Sequence, residues 1–115
     1  MSGGRLRAFW KAKRWLRENF PTRCPVRIYL RPIKGDMGLC NFDYETERFV
    51  IVIRSDLNLN ETLETLCHEW AHVLREHIPE GPHDHDDGHD PIFDAILGCI
   101  NRAWHRDTPE AACHE

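Results

Sequence analysis

Asn58-Leu59-Asn60-Glu61-Thr62-Leu63-Glu64-Thr65-Leu66-Cys67-His68-Glu69-Trp70-Ala71-His72-Val73-Leu74 is the stretch on which the reading of this chain turns. Its apolar residues recur at helical spacing, Asn58 or Asn60 offers an N-cap, and Glu61 and Glu64 occupy the first turns, where the helix dipole favours acids. Pro79 and Gly81 stop the helix. On a helical wheel Leu59, Leu63, Leu66, Cys67, Trp70 and Leu74 gather on one side, while His68 and His72 fall nearly opposite, beside Glu61 and Thr65. This predicts a helix that packs with one face and presents two imidazoles with the other. Residues four apart lie about 5–6 Å apart at Cβ, so both Nε2 atoms can reach one ion at about 2.0–2.1 Å. Glu69 is too close in sequence to be a ligand on that face; in the His-Glu-x-x-His pattern the carboxylate is placed to take a proton from a zinc-activated water.

Upstream, Leu6, Phe9, Trp10, Lys13, Leu16 and Phe20 recur near helical spacing, which predicts a helix over residues 5–19 whose apolar stripe packs on the core and which Pro21 ends. Val26, Ile28 and Leu30 alternate with Arg27, Tyr29 and Arg31 up to Pro32, the pattern of a half-buried strand. Met37 to Asp43 and Arg48 to Arg54 read as a hairpin joined by Tyr44-Glu45-Thr46-Glu47. Its second arm, Phe49-Val50-Ile51-Val52-Ile53, is apolar on both faces and should be the best protected strand. Downstream, residues 79–90 form a polar loop rich in His and Asp. Asp90 then caps a last helix opened by Pro91, with Ile92, Phe93, Ile96, Leu97, Ile100 and Trp104 as its buried stripe. No periodicity remains from Arg106 onward, so residues 106–115 read as a frayed tail.

A chain of 115 residues reads as one domain, 1–115, with a core over about 5–105. No apolar run approaches the ~20 residues of a membrane span, and the basic N-terminus lacks the apolar segment of a signal peptide, which points to the cytoplasm. Five cysteines, Cys24, Cys40, Cys67, Cys99 and Cys113, are an odd number without a Cys-x-x-Cys pair. They read as mostly buried thiols, not as a disulfide framework or a cysteine zinc ribbon, and Cys67 reads as a packing residue despite its place beside His68.

The net charge of −4 hides an asymmetry: residues 1–34 hold ten Lys/Arg and one acid, residues 35–115 five Lys/Arg and eighteen acids. Such a split points to an anionic partner for Arg5, Arg7, Lys11, Lys13, Arg14 and Arg17, nucleic acid before membrane, or else to no more than the wet face of an amphipathic helix. Asp84, Asp86 and Asp87 lack the spaced oxygens and glycine of a calcium loop and read as solvated.

A catalytic zinc takes three protein ligands. After His68 and His72, the candidates for the third are His77, His83, His85, Asp86, Asp87, His89, Asp90, Asp94 and His105. His77, five residues past His72, is rotated about 140° off the ligand face and reads as a surface residue. His83 and His85 sit in the middle of the loop, whereas His89 adjoins a capped helix that fixes it in space, which suits a ligand better.

His68-Glu69-Trp70-Ala71-His72, followed after sixteen residues by Gly88-His89-Asp90-Pro91-Ile92-Phe93, resembles the SprT-like (Spartan-type) zinc metalloprotease domain, which joins His-Glu-x-x-His to a downstream His-Gly-Pro-x-Phe. The resemblance covers roughly residues 5–105, and its specific part is 61–97. It implies a minimal zincin-like α+β domain without a zinc ribbon: an N-terminal helix, a small, about three-stranded, mainly antiparallel sheet, the His-Glu-x-x-His helix and a C-terminal helix. It also implies Zn2+ held by His68, His72 and His89, and Glu69 as the general base of a metalloendopeptidase acting on protein or peptide, a DNA-associated protein being one candidate. Asp90 and Ile92 depart from the Gly and the common Glu of that pattern. A domain this compact resembles free-standing ones that phage genomes encode, which would place it in the host cytoplasm or nucleoid. An exposed strand edge, from Phe49 to Arg54 or Met37 to Asp43, would align the substrate, and Tyr44, His83 and His85 are candidates for a further oxyanion donor. The alternative is a non-catalytic nucleic-acid or protein binding module with a structural zinc.

Overall fold

The structure is a computed structural model that describes residues 3–79 and 89–108. Its elements are α1 (Gly3–Asn19), β1 (Val26–Arg31), β2 (Gly38–Asp43), β3 (Arg48–Arg54), α2 (Leu59–Glu76) and α3 (Pro91–Asp107), an α+β arrangement. β3, the most apolar strand, is central: the sheet order is β1-β3-β2, so its backbone is paired on both edges. Phe49, Ile51 and Ile53 point into the helical layer and are buried, while Val50 and Val52 are half-buried on the other face. In β1 the expected alternation holds, with Val26, Ile28 and Leu30 inward and Arg27, Tyr29 and Arg31 exposed.

The sheet is mixed, not mainly antiparallel. β2 pairs antiparallel with β3, as the hairpin pattern predicts, but β1 pairs parallel with β3, Val26 opposite Phe49 and Arg31 opposite Arg54. The cause is the segment after Pro32. It is too long for a tight turn, bends at Gly35 (φ 89°) and crosses the C-terminal end of β3. There the Arg54 N–H donates to Met37 O (2.8 Å) and the Ser55 N–H to Arg31 O (3.0 Å). β3 is therefore enclosed on both edges, and β2 is an edge strand.

α2 starts where Asn58 predicts. The Asn58 Oδ1 accepts the Glu61 N–H (2.8 Å), and Glu61 Oε1 accepts the Asn58 N–H (3.2 Å), a closed capping box. The helix is the hub of the fold, packed on β3 and β2, on α1 and on α3. Its burial departs from the one-sided wheel. Leu66, Trp70, Ala71 and Val73 are buried as an apolar stripe should be, but so are Thr62, Thr65, Glu69 and Arg75, and Leu59, Leu63 and Leu74 are only half-buried. A helix between a sheet and two other helices has little wet surface left, so His68 and His72 are half-buried as well. Trp70 is fully enclosed and donates its Nε1–H to Phe20 O at 2.9 Å; burying such a side chain contributes about 1.5–3 kcal/mol.

In α1 the buried stripe is Phe9, Ala12 and Leu16, with Trp15 and Phe20 beside it. Leu6 (41% exposed) and Trp10 (63%) face solvent, contrary to the predicted stripe, because the covered phase of the helix runs through residues 9, 12 and 16. Lys13 Nζ lies 4.2 Å from the Trp10 ring centroid, so this ring serves as a cation-π partner outside the core. Trp15 links the two termini of the fold. Its ring meets Trp104 edge-on at 5.1 Å, and its Nε1–H donates to Asp107 Oδ2 at 3.0 Å. These contacts extend α3 to Asp107, past the point at which apolar periodicity ends; residues 109–115, with Cys113, lie outside the described residues. Of the other cysteines only Cys67 is buried; Cys24 and Cys40 are half-buried and Cys99 is exposed. Among the described residues no helix is long and apolar enough to cross a membrane.

Candidate metal centre

His68 and His72 stand one turn apart on α2, and the first turn of α3 brings His89 against both. His68 Nε2 lies 3.0 Å and His72 Nε2 3.1 Å from His89 Nε2. Three ligands at about 2.0–2.1 Å from a tetrahedral ion have donor atoms about 3.3 Å apart, so the two distances to His89, which are also hydrogen-bond distances between ring nitrogens, are close to what one small cation requires. Among the described residues these are the side chains whose ligand atoms converge, all within 4.8 Å of one another, and the group could hold a metal ion. Burial, with His89 nearby, lowers the pKa of His68 below its ordinary value, which favours the neutral, ligating form.

Two features border this geometry. Phe93 is buried beneath all three imidazoles: its ring stacks on His72 (4.4 Å, 29°) and His89 (4.7 Å, 19°) and meets His68 at 5.1 Å. The sequence pattern places Phe93 in a core stripe; its position four residues after His89, one turn on, is the signal that it also touches the site. Arg75 is the second. It is buried and paired with Asp90, the residue beside His89, through Nε–Oδ2 (2.8 Å) and Nη2–Oδ2 (2.7 Å) contacts. Asp90 still caps α3 as predicted, its Oδ1 accepting the Phe93 N–H at 2.8 Å. An arginine seven residues after His68 lies almost above it on the helix, which is the only hint the sequence carries of this partner.

Glu69 is buried next to the triad and lines the same cleft. Burial, reinforced by Asp36, pushes its pKa up to about 7. The carboxylate owes its place to a glycine. A Cβ at Gly38 would stand 2.6 Å from Thr65 Cγ2, 3.1 Å from Glu69 Cγ and 3.2 Å from Glu69 Oε2, so β2 can approach α2 this closely only without a side chain there. Cys40, also in the cleft, is pushed up to about 12 by burial, Glu69 and Glu76, and stays a thiol at neutral pH. Cys67 is likewise pushed up to about 12 by burial and Glu64, in keeping with a packing role.

The cleft encloses about 800 Å³ along the exposed edge of β2, floored by Phe42 and Phe49 and bounded by Asp36 and Glu76. Because Arg54 N–H bonds to Met37 O, the antiparallel alternation turns the backbone N–H and C=O of Gly38, Cys40 and Phe42 away from β3, toward this opening. Of the two edges considered from sequence, the Phe49 to Arg54 strand is paired on both sides and is excluded; the Met37 to Asp43 arm is open. Tyr44 reaches the cleft but is 84% exposed, against Phe42 at 5.0 Å.

The remaining ligand candidates separate clearly. His77 is no bare surface residue: its Nε2 accepts the Arg23 N–H (3.0 Å) and its ring packs edge-on against Phe49, so it ties the chain before β1 to the end of α2. Asp94 and His105 are exposed on α3, outside the triad. His83, His85, Asp84, Asp86 and Asp87 lie outside the described residues.

Comparisons of the chain with protein-family models, with curated proteins and with solved structures found no match.

Proposed function

We propose that this chain is a zinc-dependent metalloendopeptidase, a minimal zincin-like domain of the SprT-like kind, with Zn2+ on His68, His72 and His89. The observation that carries the reading is the convergence of three imidazole Nε2 atoms in a cleft that also holds a buried carboxylate and runs along an open strand edge. Zinc held by these imidazoles would supply Lewis acidity, which lowers the pKa of water and polarises a carbonyl. Three neutral nitrogen donors suit that ion, and Cys40, the thiol that lines the cleft among the described residues, is held protonated.

In this reading Glu69 is the general base. Its carboxylate oxygen accepts the proton of the attacking water and passes it to the nitrogen of the leaving amine as the peptide bond breaks. Gly38, Cys40 and Phe42 offer alternating main-chain donors and acceptors, to which an extended peptide adds as a further strand across the triad. Phe42 and Phe49 give that peptide an apolar floor. The outward Arg7 and Lys11 of α1 suit an anionic partner, nucleic acid first, which would bring the enzyme to DNA-associated proteins. Arg14 and Arg17 contribute less, being engaged with Glu18 (3.3 Å) and with Val26 O (3.2 Å).

The decisive variant is Glu69→Gln, which keeps the side-chain shape and removes the base. Zinc content should stay stoichiometric while turnover of an unfolded protein substrate falls roughly 10²–10⁴-fold. Undiminished turnover at full zinc content would refute catalysis by Glu69 and leave a binding module with a structural ion.

A further inference from the structure

Arg75 and Asp90 retain 3% and 7% of their side-chain exposure. An ion pair removed this far from water gains little for stability that a well-packed apolar pair would not provide, so its geometry is the more informative property. Among the described residues, the polar contacts of the pair hold chain in place. Arg75 Nε reaches both carboxylate oxygens of Asp90 (3.0 and 2.8 Å), and its Nη1–H donates to Ile78 O (2.6 Å), where the chain leaves α2. Asp90 Oδ1 accepts the Phe93 N–H and thereby sets the first turn of α3. The end of α2, the segment leaving it and the start of α3 are thus pinned at one point, and His89 is the residue immediately before that point. Arg75 lies three residues past His72 and seven past His68, on the same side of α2. The reference for His89 is therefore the helix face that carries the other two imidazoles.

We propose that the Arg75–Asp90 pair is a positioning device that preforms the three-imidazole site, holding His89 at ligand distance before any metal arrives. The inference rests on the zinc reading above and extends it to two residues that touch neither the ion nor the substrate. Metal affinity is then set partly by a charge pair fifteen residues apart in sequence. Losing the pair leaves His89 to be ordered at the moment of binding, which weakens the complex.

The test measures zinc affinity by competition with a chromophoric chelator, together with the melting temperature of the metal-free protein. The proteins are the full chain, Asp90→Asn and the double variant Arg75→Met/Asp90→Asn. Asparagine keeps a cap acceptor for Phe93 but removes the carboxylate charge that faces Arg75; adding methionine at 75 removes the guanidinium while retaining similar bulk. Both variants should bind zinc about 10–100-fold more weakly than wild type, and the double variant should recover most of the melting temperature lost by the single one. A merely structural pair would restore affinity and stability together. Wild-type affinity in the double variant would overturn the proposal, and this comparison decides even if Asp90→Asn fails to fold. A wild-type chain that binds no zinc would instead overturn the metal reading itself.

Discussion

At position 38 there is no room for a methyl group, and this sets where the Glu69 carboxylate stands. Alanine there would drive its Cβ against Thr65 Cγ2, 2.6 Å away, and against the Glu69 side chain. Gly38→Ala should destabilise the protein by about 1–3 kcal/mol, as overpacked buried sites do, and Gly38→Ala/Thr65→Ser should recover most of that loss, because serine deletes the clashing methyl. Urea denaturation of the four proteins of this cycle checks the coupling; strictly additive effects would mean that β2 does not press on α2 at this point. A glycine within an extended run signals close backbone approach, but nothing in the sequence says what approaches. The same limit applies to Arg75. His89 is readable because Asp90 and Pro91 fix the helix start beside it, whereas the partner of Arg75 becomes visible only when α3 is folded back on α2.

For the elements, the punctuation is legible and the pairing is not. Pro21, Pro32, Asn58 and the Asp90-Pro91 pair mark ends that the structure keeps, since each acts through its own backbone. The parallel partner of β3 depends on a chain crossing at the end of the sheet, a feature of tertiary geometry with no local signature. The phase of α1 fails for a related reason. Trp10 is as apolar as Phe9, and only contact with α2 decides which is covered. The open edge of β2 supports a sharp test. Because the Cys40 N–H points away from β3, Cys40→Pro should spare the ladder and remove one donor from the outer edge. Melting should shift by only a few degrees and KM should rise about fivefold, the worth of about 1 kcal/mol of hydrogen bonding. An unchanged KM in a folded variant would place the substrate elsewhere.

On the scale of the molecule, the site forms where three separate stretches of chain meet: α2, the start of α3 and the β2 edge. α2 touches the sheet, α1 and α3, so the residues that make the fold also aim the imidazoles. The excess positive charge of residues 1–34 is spread over two surfaces, α1 and the exposed side of β1 with Arg27 and Arg31. The division of the chain into helix, strand, hairpin, helix and helix was readable because each unit carries its own period and caps. The mutual position of His68, His72 and His89 was readable only in part, since the third imidazole is held by a buried pair and an aromatic floor that periodicity does not reveal. In the proposed function these three side chains hold one zinc ion. Metal analysis of the purified wild type and of His89→Ala, after dialysis against the same weak chelator, tests it most directly. One zinc per chain is expected in the wild type and loss of most of it in the variant; full occupancy in His89→Ala would rule out the three-histidine site.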